Sequence, residues 1–299
     1  MPLTIDDGHA AARIAPELGG MVLQWWSRRG SDVLHWLWPV PDELIGRTVT
    51  PKGGMFVLAP FSNRIRAGAF DFRGRARPLE SHPEAVPHAQ HGYANRLPWR
   101  VVRHEPAAVT LALDGLGAAW PWPVRMEQVI ALERGALVAT LACENLASEP
   151  MPFGAGFHPF FTRTGGQRLA VAARRVWQTD PDTRPLASEP TAPPLDASLD
   201  PLTIGRFLGE WDGRASVTFP SLGAAVAIEA DPSLLPWLLL FCPPGRPIVC
   251  VEPVSHLTGA FELPEPEARA QGMRVLEPGE RFDAALRLVP LLDQDVLDR

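Results

Sequence analysis

Three observations in this chain predict an all-β fold, a large antiparallel β-sandwich with little helix. Its 299 residues include 33 prolines, and each proline removes a backbone donor and breaks a helix interior. The apolar runs are short, several alternate apolar with polar, and Pro or Gly punctuates them. No strand-then-helix alternation recurs, so a parallel α/β sheet is not expected. All-β sandwiches reach this length as a single domain, and residues 1–299 are read as one domain with a sizeable core.

In chain order, the first clear strand is AAVTLALDG at 107–115. The strongest signal follows at 124–146, where VRMEQVIAL and ALVATLACENL flank a turn at Glu133, Arg134 and Gly135 and form a hairpin. There Leu137, Ala139, Leu141 and Cys143 share one face, and Val138, Thr140, Ala142 and Glu144 the other. The stretch 178–205, rich in Pro, Asp, Ser and Thr, reads as a long surface excursion, with a linker between halves as the alternative. Strands resume at 214–220, 224–230, 238–242, 248–253 and 282–290. The acidic segment 262–269, ELPEPEAR, reads as a solvated loop.

Charge and cysteine content narrow the function. The formal net charge is −6 with no run of Lys and Arg, which argues against nucleic acid as a partner. Its longest apolar run, LLPWLLLFC at 234–242, is too short to span a bilayer, and the N-terminal segment lacks a secretory pattern. A cytoplasmic protein without a membrane partner is expected. Cys143, Cys242 and Cys250 are an odd count without CxxC spacing and read as reduced core thiols.

Four polar residues stand next to apolar runs or Gly/Pro turns, where a charge is costly unless paired or used: Arg64, His91, His158 and Glu252. Each alone is compatible with a structural role. Together they supply a carboxylate, two imidazoles and a guanidinium, a set suited to acid/base chemistry on a polyhydroxy substrate. No GxSxG, GxGxxG or phosphate-loop signature is present.

The ordered series SNRIRAGAFDFRG (62–74), HGYANRLPWRV (91–101), ENLASEPMPFGAGFHPFF (144–161), VEPVSHLTGAF (251–261) and GMRVLEPGERF (272–282) resembles the aldose 1-epimerase, or galactose mutarotase, family over essentially the whole chain. The resemblance implies a β-supersandwich that interconverts sugar anomers without cofactor or metal. It implies Glu252 as general base, His158 as general acid, and Arg64 and His91 as binders of substrate hydroxyls. Family members carry a further substrate-binding aspartate; Asp212 is the candidate, with an ordinary Asp-Gly turn before Gly213 as the equal alternative.

The expected partner is a monosaccharide, a hexose or related aldose, and the expected assembly is a monomer or homodimer. A hexose-6-phosphate mutarotase is the alternative, because Arg66, Arg73 and Arg96 lie near the site motifs in sequence. A non-catalytic sugar-binding protein on the same scaffold is the other. His256 reads as a solvated turn residue, with a place lining the groove four residues beyond Glu252 as the alternative, His88 with His91 as a loop pair lacking a third metal ligand, and Trp99 and Trp211 as either core or sugar-stacking rings.

Overall fold

The computed structural model describes residues 1–45, 50–199 and 205–292. Its largest sheet has eleven strands and a second sheet has nine; within both, every paired strand is antiparallel. The expected all-β sandwich is what forms. Helix among the described residues amounts to short 3-10 turns and one six-residue α-helix, Glu265–Ala270. That helix falls in the segment read as a loop. Proline at a helical start costs nothing there, because the first N–H groups have no partner in the helix anyway.

Four strands concern function: β1 (Met55–Leu58), β2 (Gly156–Thr162), β3 (Trp237–Phe241) and β4 (Ile248–Val254). They lie side by side in the middle of the larger sheet in the order β1-β2-β4-β3. Alternation divides their side chains. Val57, Phe157, Phe161, Leu238, Leu240, Val249 and Val251 face inward, in one buried cluster with Leu111, Met126, Leu141, Val226 and Leu286 of the smaller sheet. Phe56, Phe160, Leu239 and Cys250 face the other way, in a second cluster. The larger sheet is therefore apolar on both faces.

The hairpin expected at 124–146 is present as Val124–Glu133 and Ala136–Asn145. Arg134 and Gly135 both take positive φ, 52° and 85°, the geometry of a two-residue turn that matches strand twist. Leu137, Ala139, Leu141 and Cys143 enter the core as the alternation predicts. The three cysteines are buried and free.

The stretch 178–205 departs from expectation. It is no plain excursion: Pro185–Pro190 pairs with Arg175–Thr179 at the far edge of the larger sheet, and Leu195–Ser198 closes an edge of the smaller one. Proline lacks a donor, so an edge strand with no neighbour to bond is where it fits. No helix of the described residues is long and apolar enough to cross a membrane.

One polar clamp ties the functional segment to the core. Asn145 Nδ2 donates to the carbonyls of Leu276 (2.8 Å) and Glu149 (3.0 Å), while its Oδ1 accepts the Ala147 N–H (2.9 Å), at a residue with 0% exposure. Asn145→Ala would leave these groups unmatched in a dry setting and is expected to destabilise the protein by about 2–3 kcal/mol. The urea midpoint at unchanged m-value is the measurement; an unmoved midpoint would show that water replaces the clamp.

Candidate active site

The register of β2 and β4 creates the site. Gly156 faces Val254 and Phe160 faces Cys250, so His158 and Glu252 fall at one level between them, in a gap of the matched ladder. Pro159 and Pro253 sit in that gap and contribute no N–H to it. The same level continues outward, because His158 pairs with Phe56 of β1 and Glu252 with Leu239 of β3. A row Phe56–His158–Glu252–Leu239 thus crosses the outer face of the sheet. Four chain segments, up to two hundred residues apart, are aligned by backbone pairing alone.

This row floors a cavity of ≈ 180 Å³, lined also by Phe160, Asn63, Arg64, His91, Asn95 and Thr183. His158 Nε2 lies 3.4 Å from Glu252 Oε1, with both side chains almost fully buried. The imidazole stacks on Phe160 with centroids 4.2 Å apart and planes within 3°, and Phe56 lies tilted at 4.9 Å. Packing therefore leaves the ring little rotational freedom. His158 Nδ1 and Glu252 Oε2 have no hydrogen-bond partner among the described residues.

Burial shifts both groups toward neutrality. It raises the Glu252 carboxyl well above its ordinary range and lowers the His158 imidazole well below its own, with His91 adding to the latter. The pair is best described as holding one proton in common. Burial thus favours a protonated carboxyl beside a neutral imidazole.

The walls come from two turns. Asn63 and His91 both adopt left-handed backbone, φ 53° and 60°, and exchange two bonds: His91 N–H donates to Asn63 O (2.8 Å), and Asn63 N–H donates to His91 Nδ1 (3.3 Å). An accepting Nδ1 leaves the His91 proton on Nε2. Arg64 is held by its Nη1, which donates to Asp182 Oδ1 at 2.8 Å and to Pro181 O at 3.4 Å. Thr183 Oγ1 donates to Asn63 Oδ1 at 2.7 Å. The 180–184 turn thus braces the Asn63–Arg64 turn across the cavity edge.

Arg64, His91, His158 and Glu252 are brought together; Asp212 is not. It is exposed, and its Oδ1 accepts the Arg214 N–H at 3.0 Å, so the Asp-Gly turn reading is the one the geometry matches. His256 is also corrected: it is 1% exposed, its Nε2 accepts the Ser62 N–H at 3.0 Å, and its Nδ1 donates to Leu257 O at 2.9 Å. Gly154 is required beside it, since a Cβ there would collide with the imidazole. Trp99 and Trp211 are core residues whose indole N–H groups donate to Ala94 O and Leu235 O. Sequence reasoning missed Phe56, Asn95 and the 180–184 turn, none of which carries a local signal of proximity to His158.

A family model described as Aldose 1-epimerase matches residues 1–288. A curated relative, the Uncharacterized protein YphB of Escherichia coli (strain K12), is 25% identical over 256 residues, covering 80% of this chain and 84% of that protein. The solved structure of a galactose 1-epimerase from Lactobacillus acidophilus NCFM superposes with a TM-score of 0.71 at 14% identity, covering 97% of this chain and 93% of the other. A galactose mutarotase-like protein from Lactobacillus casei ATCC 334 does so with a TM-score of 0.79 at 20% identity, over 97% and 100%. The fold is thus the galactose mutarotase-like sandwich.

Burial, with repulsion from His82 and Arg64, lowers the His91 pKa to about 3. Its C2–H resonance is therefore expected to stay flat between about pH 5 and 8, a range in which a free imidazole titrates fully. NMR of histidine-labelled protein, assigned with His91→Gln, is the check; a titration near the ordinary imidazole value would show the ring to be open to water.

Proposed function

The chain belongs to the aldose 1-epimerase family, and from that premise we propose that it interconverts the α and β anomers of an unphosphorylated aldose. The observation carrying this reading is the buried His158–Glu252 contact of 3.4 Å on the cavity floor. Anomer exchange needs one proton taken from the C1 hydroxyl and one given to the ring oxygen, which opens the hemiacetal to an aldehyde. Rotation about C1–C2 and reversed transfers close the ring on its other face. One acid and one base suffice, and the proton count of the pair is unchanged over the cycle.

Glu252 serves as the base and His158 as the acid. Passing the shared proton from the carboxyl to the imidazole gives the carboxylate–imidazolium form that these roles require. Arg64 and the Nε2–H of His91 are donors for sugar hydroxyls, and Asn95 adds an amide. Asp212 has no part in this reading. Residues 1–299 act as one domain serving one site.

Charge pairing favours a neutral sugar over a sugar phosphate. Arg66 is bound to Asp180 (2.6 Å), Arg73 to Glu265 (2.9 Å), and Lys52 to Glu84 (3.2 Å). Arg96 donates to Gly92 O at 3.0 Å and its guanidinium lies over the Tyr93 ring. A phosphate dianion calls for two or three converging donors, and Arg66, Arg73 and Arg96 are not among the residues that line the cavity.

Polarimetry or NMR exchange with freshly dissolved α-D-glucose, α-D-galactose, L-arabinose and glucose 6-phosphate tests the reading. A free sugar is expected to be the best substrate, and Glu252→Gln and His158→Asn are each expected to slow exchange by about 100-fold or more with the fold retained. Full rates in both variants would end the assignment, and a preference for the phosphate would overturn the substrate class. For the pH profile of kcat/KM, a second proton on the pair blocks the acid side and loss of the shared proton blocks the alkaline side. A plateau across neutrality is expected, its acid limb below the ordinary imidazole range and its alkaline limb above the ordinary carboxylate range. A single inflection at the free imidazole value would contradict the one-proton pair.

A further inference from the structure

We infer that His158, Glu252 and Cys250 form a binding site for a thiophilic divalent cation, zinc foremost, and that the bound ion inhibits the enzyme by occupying both acid/base groups. The three residues each offer one ligand atom, and these atoms lie within 4.8 Å of one another, all in buried side chains. Cys250 follows from the register: it is two residues before Glu252 on β4, so its side chain emerges on the same face, at the level of Phe160. The reaction as proposed makes no use of its thiol.

The donor set selects the metal. An imidazole nitrogen, a sulfur and a carboxylate oxygen make three protein ligands, the number that zinc sites keep when a fourth place is left to water or substrate, and two of the three, His158 and Glu252, line the cavity. Magnesium and calcium require oxygen-rich shells and are rejected by a thiolate and an imidazole. Charge points the same way. A dication with one carboxylate and one thiolate is neutral, whereas either anion alone in this dry floor is uncompensated. Binding forms metal–sulfur, metal–oxygen and metal–nitrogen bonds and releases the thiol and carboxyl protons to solvent, so charge and protons balance without any redox partner. The Glu252 carboxylate has an oxygen, Oε2, with no hydrogen-bond partner among the described residues. Phe56, Phe160 and Leu239 surround the floor and limit competition from water.

The inhibitory part rests on the proposed function; ion binding does not. Cobalt(II) titration of the purified protein reads binding directly, with no sugar present. The expected result is saturation at one equivalent, with a thiolate-to-cobalt charge-transfer band and tetrahedral d–d absorption, both removed by zinc and unaffected by magnesium. Cys250→Ser is expected to abolish the charge-transfer band, and Cys242→Ala to retain it. On the best sugar, the zinc concentration for half-inhibition, measured against each variant's own zinc-free rate, is expected to rise more than about 10-fold in Cys250→Ser. Wild-type protein without a thiolate band, a band that survives Cys250→Ser, or inhibition indifferent to that substitution would overturn the inference. Should Cys250→Ser fail to fold by circular dichroism, the wild-type band alone decides, and Cys250→Ala replaces it. Were no sugar to be turned over, the cobalt spectrum would still stand or fall by itself.

Discussion

Two ionisable side chains facing each other across adjacent central strands set the terms for everything else in this protein. His158 and Glu252 are 3.4 Å apart with almost no solvent around them. Neither charge is tolerable alone in such surroundings, and their coexistence depends on sharing a proton. Only a rigid frame can keep that separation. The frame is the pairing of β2 with β4, flanked by β1 and β3, deep within a sheet of eleven strands. Because the inward faces of these strands are packed against the smaller sheet, the floor cannot shift without disturbing the core.

Much of this was legible in the sequence, for physical reasons that differ from place to place. Strands with one buried face carry a period of two, so the hairpin at 124–146 and the run beginning at 214 stand out, while the runs beginning at 224 and 248, buried on both faces over most of their length, show as short apolar stretches. His158 and Glu252 were conspicuous because a charge within an apolar run demands an explanation. What could not be read was proximity. Register between strands ninety residues apart in the chain is determined by the whole sheet, and no local pattern puts Phe56 beside His158 or Leu239 beside Glu252.

The misreadings share one cause, which is that composition describes a segment and not its neighbours. His256 follows Ser255 in a turn-like context, yet Ser62 and Leu257 bury and satisfy both of its ring nitrogens. The proline-rich stretch near 185–198 looked like surface loop, yet it found free sheet edges that accept strands without a full set of donors. For Asp212 the sequence leaves a sugar contact and an Asp-Gly turn equally open, and its Oδ1 accepts the Arg214 N–H. Conversely, Asp182 drew no attention because an aspartate amid prolines is ordinary until Arg64 is seen to reach it.

Floor and walls are built by different means, and this has a bearing on how such a protein changes over generations. The floor is written into four strands whose outward residues cannot be exchanged without upsetting sheet packing. The walls belong to short turns around Asn63, His91 and Asp180–Arg184, joined by side-chain contacts such as Thr183 to Asn63 and Asp182 to Arg64. Turn residues of this kind can drift, lengthen or be swapped at small cost to stability. Descendants of this chain can therefore diverge in the walls of the cavity while inheriting, unaltered, the His158–Glu252 contact on its floor.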